Sequence, residues 1–260
     1  MYTSCMDDKH SFLKVAEEAI TEAERIIMKW YSGAIVSELK ADKSPVTQAD
    51  REAEQAIRAI ISRAFPDHGF LGEEYGTTDS PSGYYWIIDP IDGTKNFMRH
   101  IPLFGTLLAL IKEDQLQLGI SSCPALHEKM HAVKGGAAFL NNNEVTVSSA
   151  KRLQDAYISF GGLNAFSAIG KMPHVEKIIK ASSRTRAIGD AYAYHLVASG
   201  KFEAVIEAKI SFWDIAAATA IIESAGGRVT DIEGKPVGKE TTTIVASNGA
   251  VHDEILNLLS

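Results

Sequence analysis

Apolar residues recur every three to four positions from residue 11 to 31: Phe12, Val15, Ala16, Ala19, Ile20, Ala23, Ile26, Ile27 and Trp30. That period predicts an amphipathic helix of several turns. A polar loop with Lys40, Asp42, Lys43, Ser44 and Pro45 follows. A second helix is predicted from Thr47, whose hydroxyl can cap it, through Ala53, Ala56, Ile57, Ile60 and Ile61 to Phe65, where Pro66-Asp67-His68-Gly69 stops it. Then the period changes. The run 84–88 reads as a strand, and 106–111 and 117–121 as strands paired across the polar turn 112–115. A further hairpin, 130–133 with 137–140, turns at Gly135-Gly136, and 141–143 is a turn cluster. This part predicts an antiparallel, hairpin-rich sheet.

From about residue 149 the pattern alternates. Strands are expected at 156–160, 184–188, 202–206, 228–230 and 243–246, and helices at 175–181, 191–198, 215–224 and about 251–259. Alternation of this kind predicts a layered α/β half. No Pro/Gly/Ser-rich linker and no repeat interrupts the chain. Two closely packed subdomains are expected, 1–148 and 149–260.

Composition narrows the function. Hydrophobic residues at 45% and charged residues at 23% exclude a disordered or low-complexity chain, and 260 residues can bury a sizeable core. The balance of 26 Lys+Arg against 33 Asp+Glu, a net charge of −7, argues against a general nucleic-acid binder or a peripheral membrane protein. It is compatible with carboxylates that hold cations. The two cysteines, Cys5 and Cys123, show no CxxC spacing, so they read as reduced thiols, with Cys123 in a core. No leader-like stretch follows the start, and apolar runs such as 104–111 fall far short of the roughly 20 residues of a membrane span. Cytoplasmic location is the expectation.

The chemistry concentrates in Trp86-Ile87-Ile88-Asp89-Pro90-Ile91-Asp92-Gly93-Thr94. A strand ends in Asp89, Pro90 fixes a turn, and Asp92 follows three residues on, so both carboxylates can converge on one point. Gly93 lets backbone approach a ligand, and a helix opening at Gly93-Thr94 would offer free N–H groups to an anion. Carboxylates beside an anion site repel the anion unless cations lie between them. The combination points to a metal-bridged phosphate. Glu73, Glu74, Asp50 and Asp214 are further acids that could complete it, and an all-oxygen set suits Mg²⁺ or Mn²⁺ rather than zinc. Taken singly, Asp50 also reads as a solvated helix charge, Asp214 as a cap, and Glu73-Glu74 as a loop face.

These motifs resemble those of the inositol monophosphatase superfamily of Mg²⁺-dependent, Li⁺-sensitive phosphomonoesterases. Gly72-Glu73-Glu74, Asp89-Pro90-Ile91-Asp92-Gly93-Thr94 and Trp213-Asp214-Ile215-Ala216-Ala217, the last followed by Ser224-Ala225-Gly226-Gly227, stand in the family's order. Pro45-Val46-Thr47-Gln48-Ala49-Asp50 resembles its N-terminal segment, and the likeness runs from about residue 12 to the end. The resemblance implies the α/β (α+β) fold of that family and of the sugar bisphosphatases, a layered α-β-α-β-α sandwich. It implies that Glu73, Asp89, the carbonyl of Ile91, Asp92 and Asp214 hold two or three Mg²⁺, with Mn²⁺ as an alternative. It also implies that Thr94, oriented by Asp50, positions or deprotonates the attacking water with help from Glu73. The N–H groups of Gly93 and Thr94 would bind phosphate. A homodimer acting on a small-molecule phosphate monoester is implied as well.

Within the superfamily the chain is most similar to bacterial histidinol-phosphate phosphatases. Lys95 and Arg99 after the aspartate motif, Ser122-Cys123-Pro124-Ala125-Leu126, and Arg186-Ala187-Ile188-Gly189-Asp190-Ala191-Tyr192 carry that likeness. The inositol phosphatases typically have threonine where Lys95 stands and a small residue where Asp190 stands. His100 departs from a glycine common in the histidinol-phosphate group. Asn96, Arg186, Gly189, Asp190 and Glu207 are the implied substrate contacts, with Asp190 and Glu207 as charge partners for an ammonium and an imidazole. Arg186 reads equally as an ion-pair partner of Asp190. His100 and His195, lacking paired ligand spacing, are expected to have no metal role. The expected activity is hydrolysis of L-histidinol phosphate. The alternatives are an inositol-1-monophosphatase of broad specificity, a 3′-nucleotide or sugar bisphosphatase, and a silent binding module. The acids Asp190 and Glu207 argue against the bisphosphatase, and the intact set of catalytic residue types argues against the binding module.

Overall fold

The computed structural model describes residues 2–33, 37–39 and 45–260, with side chains from residue 10 onward and, between 34 and 46, for Glu38 alone. The polar loop residues Lys40, Asp42, Lys43 and Ser44 lie outside the described residues, as does the side chain of Cys5. The first predicted helix, α1, spans Tyr2–Tyr31 and so begins well before its apolar period does. The short strands β1 (Ser37–Leu39) and β2 (Pro45–Thr47) pair antiparallel and lead into α2 (Gln48–Ala64), capped by Thr47 as its sequence predicts.

An eight-stranded sheet follows, built from β3 (Gly69–Gly72), β4 (Gly76–Thr77), β5 (Tyr84–Asp92), β6 (Gly105–Lys112), β7 (Gln115–Cys123), β8 (Glu128–Val133), β9 (Ala138–Leu140) and β10 (Asn143–Val145). The short helix α3 (Thr94–Phe97) sits between β5 and β6. All neighbours are antiparallel except β3 and β5, which run parallel. That parallel pair departs from the purely antiparallel expectation. It brings the C-terminal ends of β3 and β5, and so Glu73 and Asp89, to the same end of the sheet.

The remaining chain forms β11 (Tyr157–Phe160), α4 (Leu163–Ala168), α5 (Met172–Ala181), β12 (Arg184–Arg186), α6 (Asp190–Ala198), β13 (Ala204–Ala208), α7 (Phe212–Ser224), β14 (Arg228–Thr230), β15 (Thr243–Ser247) and α8 (His252–Leu259). Its five strands lie in the order β12-β11-β13-β15-β14, parallel across the first three and antiparallel across the last two pairings. Helix α4 is absent from the expected elements, because six residues with one buried side chain, Phe166, leave no readable period.

Side-chain alternation along the strands builds the layers. Along β5, Trp86 and Ile88 join the cluster under α1 and α2, while Ile87 faces the cluster formed with α6 and α7. Along β6, Leu108 and Leu110 face one way and Leu107, Ala109 and Ile111 the other. A third cluster fills the space between the five-stranded sheet and α4, α5 and α8. The order is therefore α1/α2, large sheet, α6/α7, small sheet, α4/α5/α8. Lying between two sheets, α7 is apolar nearly all round, with Ile215, Ala216, Ala217, Ala218, Ile221 and Ile222 all buried. Among the described residues no helix is long and apolar enough to cross a membrane.

Close approach of α7 to the large sheet depends on Gly119 in β7. A Cβ there would lie 2.5 Å from the carbonyl oxygen of Ala217 and 2.9 Å from the Ala220 methyl group. Both obstacles belong to a helix pinned between two sheets, so neither can step aside. Gly119→Ala should lower the unfolding free energy by at least about 2 kcal/mol, read as a drop in the urea midpoint at unchanged slope. A midpoint equal to that of the wild type would show that the helix is free to retreat.

Candidate active site

The central feature is an irregularity in β5. Its pairing with β6 runs regularly to Asp89 opposite Leu107 and resumes with Asp92 opposite Gly105, so one extra residue is inserted in β5. In an unbroken strand, residues three apart point to opposite faces. The bulge cancels that inversion. Asp89 opposes Leu107, which faces α6 and α7, while Ile91 joins the core under α1 and α2. Asp92 returns to the α6/α7 side. Pro90 suits the insertion because it has no N–H to leave unpaired, and its carbonyl accepts a hydrogen bond from the Thr106 hydroxyl at 2.9 Å. Gly93 then turns the chain with φ 84°, and α3 opens at Thr94.

Five more carboxylates arrive from other elements. Asp50 lies in the first turn of α2, where one oxygen accepts the N–H of Thr47 at 2.8 Å and also its hydroxyl, while Oδ1 is buried without a partner. Glu73 follows β3, its N–H donated to the Ile88 carbonyl at 3.1 Å. Glu207 is on β13, and its Oε1 accepts the N–H of Asp190 at 3.1 Å. Asp190 starts α6 with φ 59°, a left-handed conformation uncommon outside glycine, and its carboxylate accepts from Asn96 Nδ2 at 3.1 Å. Asp214 lies in the first turn of α7 and accepts the Ser211 N–H at 2.8 Å. Glu73, Asp92, Asp190, Glu207 and Asp214 line one cleft of about 710 Å³, together with Gly93, Thr94, Lys95, Asn96, Gly189 and Lys209. A larger hollow of about 1010 Å³ lies by the β6–β7 turn and α7 and is lined by none of the expected metal, phosphate or substrate contacts.

Crowding and burial dominate the electrostatics. Burial first, then the charges of Glu73, Asp92 and Asp214, hold Asp89 well above the ordinary carboxylate range. Asp92 is raised by burial and by Asp190, Asp214 and Glu207. Burial pushes Asp214 up to about 7 against the pull of the Ser211 N–H, and pushes Asp50 up to about 7 against the pull of Thr47. Glu207 is likewise raised by burial, then by Asp190 and Asp214. Lys95 alone is seen to pull the other way on Asp190, whose burial raises it.

Among the described residues, no three His, Cys, Asp or Glu side chains close around a single point as a finished ligand set does. The acids gather in overlapping pairs instead, with Asp89 in reach of both Glu73 and Asp214. The donor chemistry nevertheless fits a hard divalent cation. Every donor is an oxygen, and Asp89 Oδ1 and Asp92 Oδ2 are buried without a hydrogen-bond partner.

Two expected contacts are not made. Thr94 donates its hydroxyl to the Ile91 carbonyl at 3.0 Å rather than to Asp50, whose partner is Thr47. Arg186 ends the edge strand β12, is exposed, and gives Nη1 to the Thr185 carbonyl at 2.9 Å, neither pairing with Asp190 nor lining the cleft. Three further residues near the site lie outside the expected set. They are Lys209, left-handed at φ 58° on the cleft wall, Tyr194, whose buried hydroxyl faces the Glu207 carboxylate, and Glu54, fully buried on α2. For Glu54 a signal existed: it occupies the helix stripe of Asp50, Ile57 and Ile61, where an apolar residue belongs. His195 is buried between Ser121, at 2.8 Å, and Glu128, at 3.3 Å. These are the residue types of a nucleophilic triad, but Met130, Ala218 and Ile221 enclose Ser121 and His195, with no space for a water molecule. The trio anchors α6 to the large sheet.

Known proteins align with this geometry. The model of the inositol monophosphatase family matches residues 8–260. Histidinol-phosphatase of Mycobacterium tuberculosis is 38% identical over 226 residues, 85% of this chain and 86% of its own. Fructose-1,6-bisphosphatase/inositol-1-monophosphatase of Thermotoga maritima is 36% identical over 221 residues, 84% and 83% of the two chains. The solved structure of the extragenic suppressor protein suhB from Bartonella henselae superposes with a TM-score of 0.90 at 30% identity, covering 96% of this chain and 98% of its own. The acid-lined cleft, the layered fold and these likenesses agree, and the chain belongs to the inositol monophosphatase family, whose members are phosphoric monoester hydrolases.

Proposed function

We propose that this chain is a Mg²⁺-dependent phosphomonoesterase that hydrolyses L-histidinol phosphate to L-histidinol and phosphate. The observation that carries the substrate assignment is the pair Asp190 and Glu207, joined through the Asp190 N–H, the first half-buried and the second buried on the wall of the same cleft as the aspartate motif. Burial raises both, Lys95 offsets part of this at Asp190, and the charges of Asp190 and Asp214 raise Glu207 further, so the two acids call for added positive charge. An alcohol that carries an ammonium and an imidazole supplies it. The similarity to histidinol-phosphatases points the same way. A polyol phosphate is the second reading, since the same acids accept hydroxyl hydrogens, and relatives are named for inositol and fructose phosphates.

Glu73, Asp89, the Ile91 carbonyl, Asp92 and Asp214 would hold the cations. When bound, these lower the pKa of water and neutralise phosphoryl charge. The chain's own groups do the rest. The N–H groups at Gly93 and Thr94 offer donors to phosphate oxygens at the start of α3. Asp50, with a free buried oxygen and a pKa of about 7, is suited to take a proton near neutrality. Asn96 donates to both the Leu103 carbonyl and Asp190, so it ties the specificity acid to the phosphate-binding turn.

Three outcomes are expected. Phosphate release with Mg²⁺ should favour L-histidinol phosphate over inositol 1-phosphate and fructose 1,6-bisphosphate by at least about 100-fold in kcat/KM, about 2.7 kcal/mol. Rates within tenfold of each other would remove the substrate assignment and leave the family. Asp190→Ala should raise KM for histidinol phosphate about tenfold or more while sparing simple phosphates, whereas equal losses on all substrates would place Asp190 outside specificity.

The third outcome concerns pH. Folded pKa values near 7 for Asp50 and Asp214 exceed the unfolded value of about 3.9, so the folded chain binds extra protons. In chelator, that stabilisation is complete below about pH 4 and is lost as pH rises through about 7. Urea unfolding should show wild-type stability falling across this window relative to Asp50→Asn, and Mg²⁺ should restore it at pH 7.5. A wild type that gains stability over the window in chelator would contradict the crowded-acid description.

A further inference from the structure

Glu54 is fully buried on α2, one turn beyond Asp50, and the chemistry outlined above does not use it. Its carboxylate accepts Nε of Arg58 at 2.7 Å, the N–H of Glu74 at 2.8 Å and the N–H of Tyr75 at 3.3 Å. Arg58 in turn donates Nη2 to the Gly76 carbonyl at 2.6 Å, and its guanidinium lies 4.9 Å over the Phe70 ring. Two side chains from one face of a helix thus grip three consecutive backbone groups, at Glu74, Tyr75 and Gly76. On the other side, the N–H of Glu73 is held by the carbonyl of Ile88, the residue before Asp89. Gly72 completes the clamp, since a Cβ there would overlap the Glu54 carboxylate. A buried carboxylate stripped of its partners is strongly destabilising, so the turn cannot slide without leaving Glu54 uncompensated. The backbone of Glu73 is therefore fixed on both sides while its side chain lines the cleft.

We infer that Glu54, through its pair with Arg58, is a positioning residue that sets the affinity of the site for its divalent cation by fixing Glu73. The inference rests on the reading of Glu73 as a ligand of that cation. Groups that orient ligands in this way typically change affinity by about 10–100-fold when removed. Glu54 touches neither the phosphate nor the alcohol in this scheme, so its effect has to pass through Glu73.

The test is calorimetric titration of Mg²⁺ into the metal-free chain, comparing wild type, Glu54→Gln, Glu73→Gln and the double variant, each checked for folding by circular dichroism. Glu54→Gln should weaken Mg²⁺ binding by about tenfold or more. The double variant should bind no more weakly than Glu73→Gln alone, because Glu54 has nothing left to position. Folded Glu54→Gln with wild-type affinity, or a double variant whose losses add, overturns the inference while the metal reading stands. A wild-type chain that binds no Mg²⁺ overturns both. If Glu54→Gln does not fold, Arg58→Lys replaces it: a several-fold loss of affinity supports the clamp, and unchanged affinity overturns it.

Discussion

Mutual repulsion among buried carboxylates is the constraint around which this molecule is arranged. Asp50, Glu73, Asp89, Asp92, Asp190, Glu207 and Asp214 meet at the ends of β3, β5 and β13, and most of them are buried. Burying them together without countercharge is unfavourable: burial first, and then their mutual repulsion, drives the pKa values of Asp89, Asp92 and Glu207 well above the ordinary carboxylate range. The fold offsets part of this with backbone. Asp50, Asp190 and Asp214 each sit in the first turn of a helix, where unpaired N–H groups and the helix dipole favour negative charge. The layered architecture serves that end. One helix of the outer layer and both of the middle layer start at the same place, and the large sheet delivers two strand ends to it.

Rigidity follows from the same requirement. Acids that repel one another disperse unless their backbones are held. Each holding device recruits an ordinary structural interaction: the capping oxygen of Thr47, which accepts the Asp50 N–H, for α2, the Ser121–His195–Glu128 chain for α6, and the Ser211 N–H for Asp214. The Glu54–Arg58 pair does the same for the β3–β4 turn. Stability and site geometry are thereby coupled.

Much of this was legible in the chain, and for physical reasons. Helices α1 and α2 declared themselves because one face of each is buried, so their apolar periods are clean, while the strands β5 and β6, buried on both faces, stand out as nearly continuous apolar runs. The site acids stood out because two aspartates, a proline and a glycine directly after a buried strand have few other uses. What stayed hidden depends on the third dimension. The parallel pairing of β3 with β5 joins segments whose own patterns are silent about direction. Arg186 looked like a cleft residue from its neighbours in sequence, but the strand that carries it is an edge, and the side chain goes to solvent. Glu54 stands on the apolar stripe of α2, but its spacing to Arg58 is that of a solvated helix pair, and the tie of both to the β3–β4 turn is visible only in the packed structure. Thr94 keeps its hydroxyl on its own turn, a local preference that motif order does not reveal.

The bulge at Pro90-Ile91 also decides what kinds of change the segment can absorb. Asp89 and Asp92 face one side only because β5 has one residue more than β6 over that interval. Replacement of a side chain within the insertion leaves this count intact. Loss or gain of a single residue does not, since it rotates everything beyond by half a turn and sends Asp92 into the apolar layer beneath α1 and α2 while Gly93 loses its place at the head of α3. Between the last regular pair of β5 and the start of α3, the quantity under strictest constraint is therefore length, and identity is secondary at every position whose backbone alone is used.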